Sequence, residues 1–398
     1  MDLETQTLRK NMNNRIGFID FLRGFALFGI LAVNLPYFSK PMYLVASLGE
    51  NSNLLDSIGS WIVTFLFESK FYVLFSFLFG YGFFIQLENS PETSSGNVYF
   101  RRIFGLGILG ILHGIFLFIG DILLSYAILG TVLWFLRNKN SSWLLKFSLF
   151  CIILAAFCRI GMSLAEGEIK SQLEADLPRL LDESRKAYLG GFWESSIQRT
   201  KDTILSIPFL VLYQWPSVLS MFALGFYAAK NSVFSNWENT KPGFKKLFPW
   251  MLTLGILGNF IYTLHSRHIL PENQNVFLKI LFAITDTFSA PALTFSYVYL
   301  LGNYYHSEKS LADRIWFEVM GKLSLTCYLG ESLVCSWIFC GWGLGYFDQV
   351  GSYIVLILTV PIWVFFGLFS FIWKRMFSLG PMEWILRSWT YWKAIKIL

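Results

Sequence analysis

The chain has 398 residues, of which 55% are hydrophobic, 19% aromatic and only 15% charged, and its mean hydropathy is +0.51. A soluble domain carries about 25% charged residues, so this composition excludes an ordinary soluble protein. The net charge of +6 does not indicate nucleic-acid binding, because the cations lie between apolar runs.

The apolar runs predict an all-α protein, a polytopic transmembrane helix bundle of about 10 spans. They do not alternate with polar residues, which excludes a membrane β-barrel. A helix needs about 20 apolar residues to cross a bilayer, and most of the runs approach this length. The predicted spans are 15–38, 71–87, 103–119, 122–136, 143–164, 204–229, 247–264, 277–301, 323–340 and 354–373.

The first predicted span carries Asp20 and Arg23 inside its apolar run. At 100° per residue, Asp20, Arg23 and Asn34 fall within one arc, which must face other helices or a wet cavity because charges in lipid are costly. Asp20 and Arg23 are three residues apart and can pair. The guanidinium either holds an anionic group, such as a phosphate or a carboxylate, or forms a structural ion pair.

The next run, Leu54 to Phe67, is short for a full span and is expected to be a re-entrant or interfacial helix. A polar loop then leads into the third predicted span, which contains His113 near mid-depth. A neutral imidazole there can act as a general base, or it can simply help pack the helix by bonding a backbone carbonyl.

Asp121 follows His113 by eight residues, about 12 Å along a straight helix. That distance is too long for a direct pair unless Gly120 breaks the helix and the chain turns back. Asp121 could otherwise be the polar start of the fourth span. Both readings stay open at this point.

A polar insertion at 165–203 separates the two membrane halves of the chain. The division is an N-terminal half at 1–164, an extracytoplasmic insertion with helical texture, and a C-terminal half at 204–398. Lysine and arginine are concentrated in the loops of one side, which places both termini in the cytoplasm.

The C-terminal half contains two carboxylates inside apolar runs. Asp286 lies in a polar notch of the eighth span, and Glu331 lies in the ninth. Either could be the partner of Arg23. The chain shows no inverted pair of broken segments of the kind found in transporters.

The five cysteines lie in or beside apolar runs, which favours buried thiols over a disulfide framework. No Cys/His spacing suggests zinc, and no metal is expected. The first apolar run has no cleavage pattern and is expected to act as an uncleaved anchor. Membrane lipids are the expected partners, and the sequence leaves a homo-oligomer open.

Several of these stretches, taken in order, resemble the YeiB family of bacterial membrane proteins, whose C-terminal half is a domain of unknown function. The resemblance covers nearly the whole chain and implies a multi-pass protein of the bacterial inner (cytoplasmic) membrane. The matching stretches are 15–24 with Asn34, 70–82, 101–102, 110–113, 120–127, 321–328, 341–345 and 380–384.

The N-terminal half is also similar to the catalytic region of the heparan-α-glucosaminide N-acetyltransferase relatives. Those enzymes carry acyl groups from cytoplasmic acyl-CoA across a membrane, and Asp20, Arg23 and Asn34 match their shared opening. They place a histidine in the loop after the first span, whereas 39–67 contains none here. The resemblance therefore implies that His113 would have to take that role.

The leading prediction is a membrane acyltransferase that moves an acyl group, from acyl-CoA, to an extracytoplasmic or lipid-linked acceptor. His113 would be the general base, and Asp121 would orient it or relay its proton. Arg23, with Asp20 and Asn34, would organise the charged donor. A tunnel from the cytoplasm to His113 is expected for this function.

The alternative prediction is a transporter, or a protein that binds a lipid or another small molecule. Asp20, Arg23, Asp286 and Glu331 would then line the substrate path, with a central cavity at the carboxylates. His113 would be dispensable. A scaffold without chemistry is the third interpretation.

Overall fold

The computed structural model describes residues 16–46, 53–88, 95–267, 269, 275–307 and 311–397. These residues form helices joined by turns, without a strand among them, which confirms the predicted all-α class. The helices are α1 (Gly17–Ser39), α2 (Met42–Ala46), α3 (Leu54–Ile62), α4 (Lys70–Glu88), α5 (Ser95–Phe116), α6 (Leu123–Leu136), α7 (Ser141–Tyr188), α8 (Phe192–Phe209), α9 (Trp215–Lys230), α10 (Trp237–Ser266), α11 (Val276–Tyr305), α12 (Leu311–Lys322), α13 (Ser324–Phe339), α14 (Ser352–Met376) and α15 (Pro381–Tyr391).

Within the described residues, eight helical segments are long and apolar enough to cross a membrane, so the chain is a multi-pass membrane protein. Two of the ten predicted spans form shorter helices. α6 has 14 residues and α13 has 16, which correspond to about 21 and 24 Å against a hydrocarbon core of ~30 Å. The eight longer segments are Gly17–Ser39, Leu54–Glu88, Gly96–Phe116, Ser141–Ser171, Phe192–Lys230, Trp237–Ser266, Val276–Tyr305 and Ser352–Met376.

The two ends of α1 define the two ends of the bundle. Its first residue, Gly17, lies against the hydroxyl of Tyr305 at the end of α11. Its last residue, Ser39, accepts a hydrogen bond from the Asp348 N–H at 2.7 Å, just before α14. We call these the Gly17 end and the Ser39 end. The lysine and arginine bias predicts that the Gly17 end is cytoplasmic.

The backbones of α4 and α9 touch at glycines. A Cβ at Gly80 would collide with the carbonyl oxygen of Phe222, and one at Gly225 would collide with that of Phe77. Small residues allow this close approach, which in a membrane contributes packing that the hydrophobic effect does not supply. The Phe79 ring stacks on Phe222, and four residues later Phe83 meets Phe226, so the two helices run in the same direction.

The segment Leu54–Glu88 is a broken helix. α3 passes into a π-helical turn at Val63–Phe67, and Ser69, with φ of +67°, separates this turn from α4. Asp56 accepts the N–H of Tyr353 at the Ser39 end, and Phe67 meets Phe28 midway along α1. The predicted re-entrant or interfacial helix at 54–67 is therefore the first half of a longer segment.

The segment Phe192–Lys230 is broken in a similar way. α8 ends in a π-helical turn at Leu210–Gln214, after which α9 begins with Pro216 in its first turn. Pro208 and Pro216 indicated this interruption in the sequence, whereas the break before α4 was predicted as a polar connection between two separate apolar runs. The two broken segments lie side by side, because α4 packs on α9.

The polar insertion at 165–203 continues the helices on either side of it. α7 is a single helix of 48 residues, so it carries the fifth predicted span and most of the insertion without a break. Its last residue, Tyr188, accepts a hydrogen bond from the Gly341 N–H at 2.8 Å, and its ring stacks on Phe347. The remainder of the insertion forms the first part of α8.

The amphipathic helix α15 closes the Gly17 end. Glu383 accepts hydrogen bonds from the N–H groups of Leu325 (2.7 Å) and Thr326 (3.1 Å), and it also accepts the Thr326 hydroxyl. A carboxylate at this position satisfies donors that the first turn of α13 leaves unpaired. Burial raises the pKa of the Glu383 carboxyl above its usual value.

We expect Gly80→Ala to lower the thermal unfolding midpoint in detergent, because the new methyl group collides with backbone in α9. The expected cost is about 1–3 kcal/mol. Gly161→Ala is the matched control, because a Cβ there meets nothing within 4 Å. Equal midpoints for the two variants would contradict this account of α4–α9 packing.

We expect Glu383→Ala to destabilise the protein more than Glu383→Gln, whose amide oxygen still accepts hydrogen bonds. The pKa of Glu383 is higher in the folded protein than in the unfolded chain, so on acidification the folded protein takes up this proton at a higher pH. The contribution of Glu383 to stability therefore increases as the pH falls through the folded-state pKa. The thermal midpoint of Glu383→Gln should lack this rise on acidification. Parallel pH profiles for the wild type and Glu383→Gln would rule the effect out.

Candidate functional site

The hairpin between α5 and α6 joins the two residues predicted to be catalytic. α5 ends at Phe116, the chain reverses, and α6 begins at Leu123. The reversal brings the His113 Nδ1 to 2.8 Å from the Asp121 Oδ1. Of the two readings of Asp121, the structure therefore has the one in which the chain turns back and the pair forms directly.

Asp121 is held in place by a second hydrogen bond. Its Oδ2 accepts the N–H of Leu124 at 2.7 Å, so the carboxylate also caps the first turn of α6. The close contact of Gly110 with the Leu124 backbone leaves no room for a side chain between the two helices. The carboxylate is thus fixed before it orients the imidazole.

The other imidazole nitrogen, His113 Nε2, has no hydrogen-bond partner within the described part of the chain. In the neutral imidazole, the Nδ1 that faces the Asp121 carboxylate carries the proton, and Nε2 presents a lone pair. His113 is 2% exposed, and its ring lies 4.9 Å from that of Tyr328, measured between centroids. This arrangement of an oriented imidazole with one unused nitrogen suits a general base.

Glu331 lies in α13, three residues beyond Tyr328. It is buried, and its Oε1 has no partner among the described residues. The prediction that Glu331 could pair with Arg23 is not realised, because the Arg23 guanidinium bonds Asp20 instead.

The Asp20–Arg23 pair lies in the first turns of α1, with 3.2 Å between Asp20 Oδ1 and Arg23 Nη1. Asp20 is buried, whereas the Arg23 side chain is 26% exposed. Arg102 and Arg387 also lie at this end, and Arg102 is close enough to interact electrostatically with both other arginines. We call Arg23, Arg102 and Arg387 the arginine cluster; three guanidinium groups together favour an anionic ligand.

The arginine cluster and the dyad share one face of α5. Arg102 and His113 are eleven residues apart, which at 100° per residue is about 20° past three full turns. The rise over this distance is about 16 Å. Asn34 is half-buried on α1 and forms no hydrogen bond with a described residue of either group.

Asp286 belongs to a separate cluster. Its Oδ2 lies 3.0 Å from Arg159 Nη1 and accepts the hydroxyl of Tyr213, so the expected pairing with Arg23 is not formed. α11 meets the Gly17 end at Tyr305, and Asp286 is nineteen residues from there, or about 28 Å. Asp286 therefore lies at a different level of the bundle from the Asp20–Arg23 pair.

Sequence reasoning did not single out Arg159 or Lys70 as site residues. Arg159 lies inside the fifth predicted span, and an ionisable residue within a membrane span by itself indicates a candidate functional site. Lys70 seemed to lie in a connection between two apolar runs. It is 1% exposed in the structure, because that connection is the break inside a helical segment.

Two cavities bear on access to the dyad. One of about 600 Å³ opens beside α15 at the Gly17 end, and one of about 10 Å³ lies beside the α5–α6 hairpin. Neither is lined by His113, so neither forms the predicted tunnel. The first is lined by Asn97, Phe100, Arg101, Phe104, Trp389 and Trp392. The second is lined by Tyr37, Phe38, Leu117, Phe118, Ile119, Tyr188, Arg199 and Cys340.

The five cysteines are free thiols, and four of them are buried. Among the described residues, no group of three or more histidine, cysteine, aspartate and glutamate side chains could hold a metal ion.

Comparison with known proteins finds a matching family model and relatives of this chain. Residues 228–393 match the model of a protein family of unknown function, DUF418. YxaH of Bacillus subtilis (strain 168) is 29% identical over 402 residues, with 96% of each chain covered. YeiB of Escherichia coli (strain K12) is 25% identical over 379 residues, with 94% of this chain and 95% of YeiB covered.

The chain is similar over nearly its whole length to these two proteins, and its C-terminal part matches the DUF418 model. This confirms the YeiB resemblance seen in the sequence, and both relatives carry the description "uncharacterized protein". A third relative, a 39.9 kDa protein of Bacillus acidopullulyticus, is 24% identical and is covered over 97% of its length. No solved structure matches the chain.

We expect Asp121→Ala to destabilise the protein by about 1–3 kcal/mol, because it removes the cap of α6 and leaves both imidazole nitrogens without partners. Asp121→Asn should cost less, because its amide oxygen can still accept the Leu124 N–H. Thermal unfolding in detergent measures both. Asp182→Ala, which removes an exposed ion pair with Lys186, should change little; an equally small change in Asp121→Ala would contradict the capping role.

Proposed function

We propose that this protein is a membrane acyltransferase that uses acyl-CoA as its donor and an extracytoplasmic or lipid-linked molecule as its acceptor. The observation that supports this most directly is the His113–Asp121 dyad. It combines a carboxylate fixed by its own backbone bond, an imidazole held at 2.8 Å from it, and a buried nitrogen with no partner in the described chain.

In the proposed step, His113 Nε2 removes the proton from a hydroxyl or amine of the acceptor. The freed oxygen or nitrogen attacks the thioester carbonyl, a new C–O or C–N bond forms, and the C–S bond breaks. The CoA thiolate leaves and takes the proton back from His113. Asp121 stabilises the imidazolium that forms between these two events.

The arginine cluster would hold the phosphates of the donor at the Gly17 end. Arg23 is oriented by Asp20, and Arg102 is oriented by its bond to the Gln86 amide oxygen at 2.6 Å. From there an extended acyl-pantetheine arm would run along α5 toward His113, about 16 Å away on the same face. This direction agrees with the predicted cytoplasmic position of the Gly17 end.

The dyad is closed to solvent in this structure, because His113 is buried and lines neither cavity. The proposal therefore requires the bundle to open between Arg102 and His113 when the donor binds. Glu331, one turn beyond Tyr328, would then lie near the acceptor as a further polar group.

His113→Gln should lower acyl transfer from a labelled acyl-CoA by about 100-fold or more, because the amide cannot take up a proton. Purified full-length protein in lipid, with a membrane extract as acceptor, measures this. His306→Gln is the matched control, since His306 Nδ1 bonds only its own helix carbonyl at Gly302. Full activity in His113→Gln would refute the assignment of the base, and no turnover of any acyl-CoA by the wild type would refute the proposed function.

Arg23→Gln should raise the KM for acyl-CoA much more than it lowers kcat, because Arg23 contacts the donor far from the reacting carbonyl. Arg179→Gln, which changes an exposed arginine of α7, is the control. A fall in kcat with an unchanged KM would place Arg23 outside the donor site.

A further inference from the structure

The break before α4 holds a buried cation. Lys70 is the first residue of α4, and its Nζ donates to the carbonyl oxygen of Thr64 in the preceding π-helical turn at 2.8 Å. An ammonium group has three donors, and this is the hydrogen bond that Lys70 makes within the described chain. The positive φ of Ser69 is a backbone state that non-glycine residues adopt rarely, and such residues cluster at functional sites.

A second buried cation, Arg159 of α7, lies at the same break. Its Nη2 donates to the hydroxyl of Tyr72, two residues into α4, at 2.9 Å, and to the hydroxyl of Ser217 in α9 at 3.2 Å. Its guanidinium lies over the ring of Tyr213, in the π-helical turn of the other broken segment. Arg159 is 4% exposed, yet its Nε has no partner among the described residues.

Asp286 is the carboxylate of this cluster, and it is also incompletely bonded. Its Oδ2 receives Arg159 and Tyr213, whereas its Oδ1 has no partner in the described part of the chain. Asp286 also lies close enough to Lys70 for an electrostatic interaction. Buried polar atoms nearly always have hydrogen-bond partners. The unpaired donors of Lys70 and Arg159 and the unpaired Asp286 Oδ1, all near the break before α4, therefore call for an explanation.

The charges around the break do not balance. Glu68 accepts the hydroxyl of Tyr262 at 3.0 Å, and Arg267 donates to the hydroxyl of Thr64. With Lys70, Arg159 and Asp286, the described residues of this region supply three cations and two carboxylates, an excess of one positive charge. A structural ion pair would need no extra cation, and burying one without an anion is unfavourable.

The N-terminus of α4 adds to the positive potential. The first N–H groups of a helix lack intrahelical acceptors and point toward the break, where they favour negative charge. α4 has 19 residues and starts inside the bundle rather than at its surface. Discontinuous helices in membrane proteins commonly place such ends at ligand sites.

We propose that Lys70 and Arg159, at the break between the Val63–Phe67 turn and α4, bind one small oxygen anion, a carboxylate or a phosphate. Lys70 and the Arg159 Nε donate to its oxygens. Asp286 Oδ1 accepts from a donor on the same ligand, such as its hydroxyl or ammonium group. The site does not depend on acyl transfer, and it shares no residue with the His113–Asp121 dyad.

The test is equilibrium binding of radiolabelled acetate and, separately, of inorganic phosphate to the full-length protein in detergent, with chloride holding the ionic strength constant. We expect saturable binding of about one ion per chain by at least one of the two. Acetate alone would assign a carboxylate site, phosphate alone a phosphate site, and both a general oxyanion site. Binding should also raise the thermal midpoint by about 2 °C or more.

Lys70→Met removes one cation while keeping the length of the side chain, and it should weaken binding by at least tenfold. The double variant Arg159→Met/Asp286→Leu removes the ion pair as a unit, so neither of its two members is left buried alone, and it should also lose binding. Lys146→Met, an exposed cation of α7, is the matched control and should bind as the wild type does.

The thermal midpoint of each variant without ligand shows whether it is folded. Unchanged binding in either folded Lys70→Met or the folded double variant would overturn the proposal, as would the absence of saturable binding of both anions in the wild type. A separate acyl-transfer measurement on Lys70→Met distinguishes this site from the dyad, because retained transfer with lost anion binding supports two independent sites.

Discussion

The structure depends on one constraint, which is the cost of placing charged side chains where water is scarce. In the described chain, Asp121, Lys70 and Arg159 are each met by a partner from another turn or another helix. Asp121 meets His113 across a hairpin, and Arg159 meets Asp286 between α7 and α11. Because hydrocarbon supplies no hydrogen bonds, these pairs determine which helix faces can lie inside the bundle.

The His113–Asp121 dyad and the cluster at the break before α4 differ in which polar atoms lack a partner among the described residues. The dyad leaves a neutral acceptor nitrogen, which suits proton transfer from a substrate. The cluster at the break before α4 leaves donors on two cations, which suits an anion that stays charged. Different backbone features position the two clusters. A tight hairpin between α5 and α6 positions the dyad, and a pair of π-helical turns lies beside the cations. Such turns recur at functional sites because they free backbone groups and redirect side chains.

The parts of the site that could be predicted from the sequence are those in which the interacting residues are close together in the chain. Asp20 and Arg23 are three residues apart on one helix, so their pairing could be predicted from the sequence. Asp286 and Glu331 were recognised as carboxylates inside apolar runs, but the pairing of Asp286 could not be assigned, because Arg159 and Tyr213 are distant from it in sequence. Lys70 escaped notice because a break inside a span resembles an ordinary loop when only hydropathy is read.

The sequence alone predicts a multi-pass helix bundle, the position of most of its spans and the resemblance to the YeiB proteins, because apolar runs and ordered motifs are local properties of the chain. Only the tertiary structure decided that Asp121 turns back onto His113, that Asp286 joins Arg159, and that Leu54–Glu88 is one broken segment. These features depend on which helix faces which neighbour. That choice is made by close packing at glycines and by the pairing of charges across the bundle, and neither leaves a periodic signal in the sequence.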